Sequence, residues 1–201
     1  MHTAAERYRL SFSWVLGVAL IFLIIFTKSK NEASPAYELL ELGGYVGIVI
    51  ATLGRIWSSV YIGGRKDEEL CMDGPYSISR NPLYIFSFFG AVGIILSAQK
   101  LVLLGVVLPF FLYYYFVIKG EERRLADFFG EEYDRYCRRV NRIIPRFALY
   151  SSKERFEVYP KVLFRSIVHA SLFMWIFMIL EFLEYFKENT TLIPTLFYLP
   201  F

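Results

Sequence analysis

The sequence contains few of the side chains from which metal centres and disulfide frameworks are built. It has two cysteines and two histidines among 201 residues. Cys71 and Cys137 do not form a Cys-x-x-Cys pair, and neither His2 nor His169 has a second His or Cys at helical spacing. We therefore expect no metal site and no disulfide scaffold. The chain also shows no Gly-rich dinucleotide-binding loop and no internal repeat.

Charged residues are absent from two long stretches, 11–27 and 101–118. Each stretch is about long enough to cross the hydrocarbon core of a bilayer as a helix. Composition agrees, since 56% of the residues are hydrophobic and 19% are aromatic, more than a typical soluble domain contains. A soluble helical bundle would need polar faces inside these stretches, and none is present. The sequence therefore predicts an all-α integral membrane protein embedded in the lipid bilayer as a single domain over 1–201.

About five transmembrane helices fit the apolar pattern, over 10–27, 39–62, 83–97, 101–118 and 167–185. Pro109 is expected to kink the fourth. The distribution of Lys and Arg sets the orientation, because these residues collect on the cytoplasmic side. One side carries Arg7, Arg9, Arg65, Lys66, Arg80 and every Lys and Arg of 119–165, whereas the other carries only Lys28, Lys30, Lys100 and Lys187. We therefore predict a multi-pass protein with a cytoplasmic amino terminus.

The charged stretch between the fourth and fifth spans has an amphipathic helical pattern. Its apolar residues recur at three- and four-residue steps: Leu125, Phe128, Phe129, Tyr133, Tyr136 and Val140. Gly130 is expected to divide the stretch into two helices. We interpret it as a lid over the cytoplasmic mouth of the bundle, the alternative being a helix that lies on the membrane surface. The apolar, Pro-broken stretch 190–201 is expected to be an interfacial tail.

Polar residues gather where the third span begins and where the fourth ends. Gly74 and Pro75 predict a sharp bend, and Pro82 predicts a helix start, which puts Arg80 and Asn81 at a helix amino terminus that favours anions. The alternative is a capped helix whose Arg80 contacts lipid phosphates.

Two further charged features stand out. The Glu121-Glu122 pair follows the fourth span and would attract an ammonium or sulfonium, although a solvated helix start is the simpler interpretation. Arg55 lies inside the second span, where a central arginine costs about 2.5–3.5 kcal/mol. It either faces a polar cavity and holds an anionic group of the substrate or a carboxylate of the cofactor, or it snorkels to the interface or is paired internally. Together these groups would complement an amino acid that carries a positive sulfur.

The ordered motifs of the central half of the chain resemble a known family. Gly-x-Tyr, Arg-x-Pro-x-Tyr, Glu-Glu, Phe-Gly-Glu-Glu-Tyr and Ile-Pro follow one another over about 54–146, with 147–201 forming an extra span and tail. This series is similar to the isoprenylcysteine carboxyl methyltransferases and to the related phospholipid N-methyltransferases. The resemblance implies an integral membrane enzyme that uses S-adenosylmethionine.

The resemblance also implies which residues contact the cofactor. The matched positions are Tyr76, Asn81, Pro82, Leu83, Tyr84 and Glu121, with Gly74, Arg80 and Glu122 in the same motifs. In the stretch 68–71 only Leu70 and Cys71 match. Two positions depart from the family: Asn81 replaces a histidine, and Phe86 stands where glycine is common. Because asparagine does not titrate near neutral pH, a histidine acid or base at this position is excluded.

The chemical class of the methyl acceptor follows less directly from the sequence. A carboxylate is already ionised and needs no base, whereas an amine or thiol acceptor needs a deprotonation route that the sequence does not reveal. We therefore expect O-methylation of an amphipathic or lipid-linked carboxylate, with Arg55 binding the acceptor. The alternatives are a phospholipid N-methyltransferase, a nicotinamide-dependent membrane reductase and a non-catalytic membrane protein. We expect no nucleic-acid partner.

Overall fold

The computed structural model of the chain describes residues 4–29, 35–65, 68–155, 157–190 and 194–199. Helices account for nearly all of the regular structure: α1 (Ala4–Phe26), α2 (Pro35–Ile62), α3 (Pro75–Ile78), α4 (Pro82–Ser97), α5 (Leu104–Phe129), α6 (Glu131–Arg139) and α7 (Pro160–Asn189). Short 3-10 turns occupy Leu101–Leu103 and Phe147–Leu149. The predicted all-α class is confirmed. His2, Lys30 and Lys66, which entered the sequence argument, lie outside the described residues.

Three helical stretches are long and apolar enough to cross a membrane: Pro35–Ile62, Leu101–Phe129 and Pro160–Lys187. Two shorter apolar stretches, Ser13–Phe26 and Pro82–Ser97, correspond to the predicted first and third spans. The five-span count therefore stays a prediction. Gly130 separates α5 from α6 at a φ of 53°, as predicted. Pro109 lies inside α5.

Contacts between helix ends define one end of the bundle, which we call the outer end. The Lys187 ammonium on α7 donates to the carbonyl oxygens of Ile25 and Thr27 at 3.0 and 3.1 Å. The Gln99 amide after α4 donates to the Glu41 carboxylate near the start of α2 at 2.8 Å. The carboxyl ends of α1, α4 and α7 therefore lie beside the amino end of α2. This arrangement is the one expected when successive helices cross the membrane in alternating directions.

Lys100 differs from its sequence-based interpretation. The sequence assigned it to an outer turn, but its side chain is 1% exposed and lies 3.5 Å from the Glu184 carboxylate. The turn between α4 and α5 is thus tucked against α7 rather than projecting into water. Nothing in the local sequence distinguishes a buried lysine from an exposed one at this position.

Close packing of α2 against α4 depends on glycine. A Cβ on Gly44 would lie 2.4 Å from the backbone nitrogen of Ser97, and one on Gly93 would lie 2.9 Å from the carbonyl oxygen of Gly44. Small residues of this kind let two helix backbones approach closely, which is a common basis of helix association in membranes. Gly54 plays a related part, since a Cβ there would lie 2.2 Å from the Phe86 ring. Phe86, unusual for the resembled family, thus fits because Gly54 faces it.

The tail forms a small element that the sequence did not reveal. Residues Thr27–Ser29 (β1) pair in parallel with Phe197–Leu199 (β2). The Leu196 N–H also donates to the Phe26 carbonyl at 2.8 Å. This two-stranded sheet ties the described part of the tail to the end of α1. Its three-residue strands are too short to give a readable alternation pattern.

The alternating topology makes a direct prediction. Ala36 lies exposed at the start of α2, and Ser151 lies exposed beyond α6 at the opposite end of the bundle. Single cysteines at these positions, in a background with Cys71 and Cys137 replaced by serine, should react with a membrane-impermeant maleimide from opposite faces. Ala36 should be labelled from outside and Ser151 only after permeabilisation. Labelling of both from the same face would contradict the topology.

Candidate active site

A cavity of about 580 Å³ lies between the helices. Its polar end, opposite the outer end of the bundle, is lined by Tyr76, Arg80, Tyr84 and Glu121. Its deeper part, which we call the apolar arm, is lined by aliphatic side chains from several helices, including Leu20, Ile24, Ile95 and Val107. One cavity thus connects a charged compartment with an apolar one.

Helix α3 forms one wall of the polar end because the chain bends sharply before it. Gly74 has a φ of 58°, a conformation that L side chains rarely adopt, and its missing side chain leaves room for the Tyr61 ring. Pro75 then begins the helix. Tyr76 follows, 6% exposed, and its carbonyl oxygen accepts a 2.6 Å hydrogen bond from the Tyr136 hydroxyl of α6. Burial raises the pKa of the Tyr76 phenol well above its ordinary value.

Glu121 faces the cavity with an aromatic neighbour. The Tyr84 hydroxyl donates to Glu121 Oε2 at 2.9 Å. The Tyr84 ring lies 5.4 Å from that of Tyr114, whose hydroxyl is 2.6 Å from Ser13 Oγ. Helices α4, α5 and α1 are therefore linked in one layer around the Glu121 carboxylate.

Glu122 faces away from the cavity and holds three segments together. Its carboxylate receives two hydrogen bonds from the Arg80 guanidinium at 3.0 and 3.2 Å, one from the Asn81 amide at 3.1 Å and one from Arg142 Nε at 2.8 Å. Arg80 also donates to the carbonyl oxygens of Cys137 and Val140. The negative charge of Glu122 raises the pKa of Arg142. The carboxylate thus binds the start of α4 and the segment after α6 to α5.

The cavity gathers most of the residues singled out from the sequence. Its lining includes Leu70, Cys71, Tyr76, Arg80, Asn81, Pro82, Leu83, Tyr84, Glu121 and Arg55. Gly74 and Glu122 are not in the lining, and their contact with the cofactor stays a prediction. The sequence also suggested that Arg80 would bind an anionic ligand group, but its donors are directed at Glu122 and at backbone carbonyls. Burial raises the pKa of the Cys71 thiol to about 11, so it stays protonated at neutral pH.

Arg55 lies where the polar end meets the apolar arm. Its Nη1 donates to Ser87 Oγ on α4, and its guanidinium carbon lies 5.6 Å from the centre of the Phe173 ring on α7. Arg55 Nε is buried and has no hydrogen-bond partner among the described residues. Arg55, Ser87 and Phe173 all line the cavity. The arginine is therefore directed inward and does not snorkel freely to the interface.

Part of the cavity wall is formed by residues that were not predicted from the sequence. Phe173 and Ile176 reach the cavity from α7, and Tyr114 reaches it from α5. Nothing distinguishes Phe173 from the other aromatic residues of its apolar helix, because only the packing of α7 against α2 and α4 selects it. Tyr133 and Tyr136 were assigned to a lid; they pack with Val140 against Leu70 and Met72, and they also line the cavity. Whether α6 opens as a lid stays a prediction.

Comparison with known proteins agrees with this arrangement. The phospholipid methyltransferase family matches residues 49–132. The cobalt-zinc-cadmium resistance protein CzcN of Cupriavidus metallidurans is 31% identical over 183 residues, covering 90% of this chain and 84% of CzcN. The nickel-cobalt-cadmium resistance protein NccN of Alcaligenes xylosoxydans xylosoxydans is 33% identical over 187 residues, covering 92% of this chain and 86% of NccN.

A eukaryotic enzyme is also similar. The protein-S-isoprenylcysteine O-methyltransferase of Schizosaccharomyces pombe is 32% identical over 127 residues, covering 62% of this chain and 53% of the enzyme. No solved structure matches the chain. The chain thus combines a helical membrane fold, with a cavity between its helices, and sequence similarity to methyltransferases. The chain belongs to the same family as CzcN and NccN, and its residues 49–132 match the phospholipid methyltransferase family.

The position of Glu122 predicts a structural rather than a ligand-binding defect. Glu122→Gln removes the charge that Arg80 and Arg142 share, and breaking a buried ion pair costs about 3–5 kcal/mol. The melting temperature in detergent should therefore fall clearly below that of the wild type. The control is Glu132→Gln, an exposed position on α6, which should melt like the wild type. Equal melting temperatures for both variants would contradict the role given to Glu122.

Proposed function

We propose that the protein transfers the methyl group of S-adenosylmethionine to an amphipathic acceptor that carries an anionic headgroup. We also propose that the polar end of the cavity opens to the cytoplasm. The observation that carries the proposal is the continuity of the polar end with the apolar arm. A soluble cofactor and a membrane-bound acceptor need such a shared compartment, because each must reach the reacting atoms from a different phase.

A buried hydroxyl supports a ligand at the polar end. Tyr76 is 6% exposed, and its hydroxyl lacks a hydrogen-bond partner among the described residues. Tyr76 lines the cavity together with Tyr133, whose hydroxyl interacts with the Cys137 side chain. Buried polar atoms without partners are rare in native proteins, and a ligand commonly explains them. The hydroxyl and amino groups of S-adenosylmethionine would supply such partners.

Glu121 supports a cationic ligand in the same place. Its carboxylate faces the cavity, and the Tyr84 hydroxyl orients it. An acidic group among aromatic rings attracts an ammonium or sulfonium through its charge and through cation–π contact. Arg80 and Asn81, whose side chains are directed at Glu122, would shape the wall rather than bind the cofactor through their side chains.

The mechanism needs little from the protein beyond alignment. Bound S-adenosylmethionine supplies a methyl group that is already activated on a sulfonium. Glu121 would hold the cationic part of the cofactor, and Arg55 would hold the acceptor at the junction with the apolar arm. Tyr133 and Tyr136 would exclude water. Positioning of this kind can lower a barrier by up to about 7–11 kcal/mol.

Arg55 supports an anionic acceptor. A buried guanidinium with one unpartnered nitrogen, directed into a cavity within the membrane region, is costly unless an anion completes its coordination. A carboxylate would accept from it bidentately and could attack the methyl group without a base. A phospholipid would place its phosphate there but would need a way to deprotonate its amine. We therefore favour O-methylation of a lipid-linked carboxylate, with phospholipid N-methylation as the alternative.

The names of two relatives suggest a physiological setting. CzcN and NccN are named as resistance proteins for cobalt, zinc, cadmium and nickel. We propose that methylation by this protein modifies a membrane component in cells exposed to such metals. Cells that lack the protein should regain tolerance when they express the wild type but not when they express Glu121→Gln. Rescue by the inactive variant would separate metal tolerance from methyl transfer.

Glu121→Gln should weaken S-adenosylmethionine binding. A hydrogen bond to a charged group contributes about 1.5–3 kcal/mol, so Kd should rise about ten- to hundredfold. The measurement is calorimetric titration of purified protein in detergent. Glu131→Gln, at an exposed position on α6, is the matched control and should leave Kd nearly unchanged. Equal weakening in both variants would indicate general electrostatics instead of a binding site.

Arg55→Leu should separate acceptor binding from cofactor binding. The variant should insert normally, because leucine suits the bilayer better than arginine. The Kd for S-adenosylmethionine should change little, whereas the KM for an anionic amphipathic acceptor should rise sharply. Arg65→Leu removes the same charge just beyond α2 and serves as the control, since Arg65 does not line the cavity.

Comparing two acceptors extends the test. Radioactive methyl transfer to an isoprenylated cysteine and to phosphatidylethanolamine, each in nanodiscs, distinguishes the carboxylate from the amine. Wild-type turnover by Arg55→Leu at low acceptor concentration would show that Arg55 does not bind the acceptor. Binding of S-adenosylmethionine without transfer to either compound would contradict the proposed acceptor chemistry but not the cofactor site.

A further inference from the structure

Residues 143–150 form a surface strip, the 143–150 strip, that exposes apolar side chains outside the membrane-crossing helices. The exposed fractions are 38% for Ile143, 73% for Ile144, 73% for Phe147 and 54% for Tyr150. Leu149 alone among its large aliphatic residues packs inward, against the cluster formed by Tyr133, Tyr136 and Val140. The strip therefore has an anchored inner side and an outer side on which Ile144 and Phe147 are left largely uncovered by the described residues.

Hydrogen bonds fix the strip against α3. The Arg146 N–H donates to the Ile78 carbonyl at 2.9 Å, and the Ser79 hydroxyl donates to the Ile143 carbonyl at 3.2 Å. Just past the strip, the Ser151 N–H donates to Ser77 Oγ at 3.0 Å. Ser77 and Ser79 are 0% and 1% exposed. The apolar side chains are thus presented outward by a backbone that is anchored in the protein interior.

The charge around the strip identifies what would cover it. The stretch 138–155 carries Arg138, Arg139, Arg142, Arg146, Lys153 and Arg155 against a single acidic residue, Glu154. Arg142 and Lys153 are paired with Glu122 and Asp73, so the excess of positive charge comes from the other basic residues. Exposed apolar side chains among basic ones match the headgroup layer of an anionic membrane, where hydrocarbon and phosphate lie a few ångströms apart. Tyr150 also packs near Trp57 of α2, at 6.2 Å between ring centres, so the strip adjoins a membrane helix.

We propose that the 143–150 strip is an interfacial anchor that docks into the anionic headgroup layer of the leaflet on the basic side of the protein. Ile144 and Phe147 enter the acyl boundary, and Arg146 contacts lipid phosphate. Because the strip is bonded to α3, docking also holds the wall that carries Tyr76. The anchor does not depend on which acceptor is methylated.

The anchor can be tested by the depth of a spin label. Phe147→Cys in a Cys71→Ser, Cys137→Ser background is labelled with a nitroxide, and the full chain is placed in nanodiscs of phosphatidylcholine mixed with phosphatidylglycerol. The label should be more accessible to oxygen than to a water-soluble nickel chelate. A label at the exposed Glu154→Cys should show the reverse preference.

Charge reversal tests the choice of anionic lipid. Adding Arg146→Glu should lower the oxygen-to-nickel accessibility ratio at position 147 in the anionic nanodiscs towards its value in phosphatidylcholine alone. Arg123→Glu makes the same charge change at an exposed position on α5 and should leave the ratio unchanged.

Three outcomes would overturn the proposal. A label at position 147 that favours the nickel chelate in both lipid mixtures would place the strip in water. Its apolar side chains would then be available to a protein partner instead. Dipolar broadening between labels of two chains would make a second copy the occupant. An accessibility ratio that is the same with and without phosphatidylglycerol would remove the role of the anionic headgroup.

Discussion

The candidate site depends on one buried carboxylate. Glu122 takes hydrogen bonds from Arg80, Asn81 and Arg142, which come from the start of α4 and from the segment after α6. A buried charge is tolerated only when it is paired and hydrogen-bonded, so these three partners are a condition of its burial. Through the same hydrogen bonds the carboxylate fixes the relative positions of three segments that form the polar end. The adjacent Glu121 is thereby turned towards the cavity, because neighbouring helical residues point in different directions.

The structural role of Glu122, as distinct from the cavity-facing Glu121, also explains how an asparagine can occupy position 81. Its side-chain amide donates to Glu122 Oε1 and to the Arg142 carbonyl oxygen, both at 3.1 Å. Those bonds need only N–H donors, which an amide supplies without titrating, so a histidine is not needed to hold this corner together. The amide nitrogen is also occupied by these two acceptors, which argues against Asn81 exchanging protons with a substrate. Under the proposed function, methyl transfer would therefore depend on alignment of the reactants within the cavity.

The fold and part of the site could be predicted from the sequence because their signals are local. Apolar runs indicated the helices, Gly130 indicated the break after α5, and the turn around Gly74 indicated where the site lies. The pairing of Arg80 with Glu122 rather than with a ligand could not be predicted, since adjacent glutamates differ only in the side of the helix they face. Burial of Lys100 and the approach of Phe173 to Arg55 depend on packing between distant helices, which leaves no local pattern.

The contact between Arg55 and α7 bears on the proposed acceptor specificity. The family match ends before α7 begins, yet α7 supplies the Phe173 ring that lies against the Arg55 guanidinium. Gly90 on α4 makes room for that ring, because a Cβ there would lie 2.6 Å from it. A cation held between a hydroxyl and an aromatic face keeps its charge directed into the cavity, since neither neighbour neutralises it. Under the proposed function, variation in α7 would therefore change which anionic acceptor binds without altering the polar end where we propose that the cofactor binds.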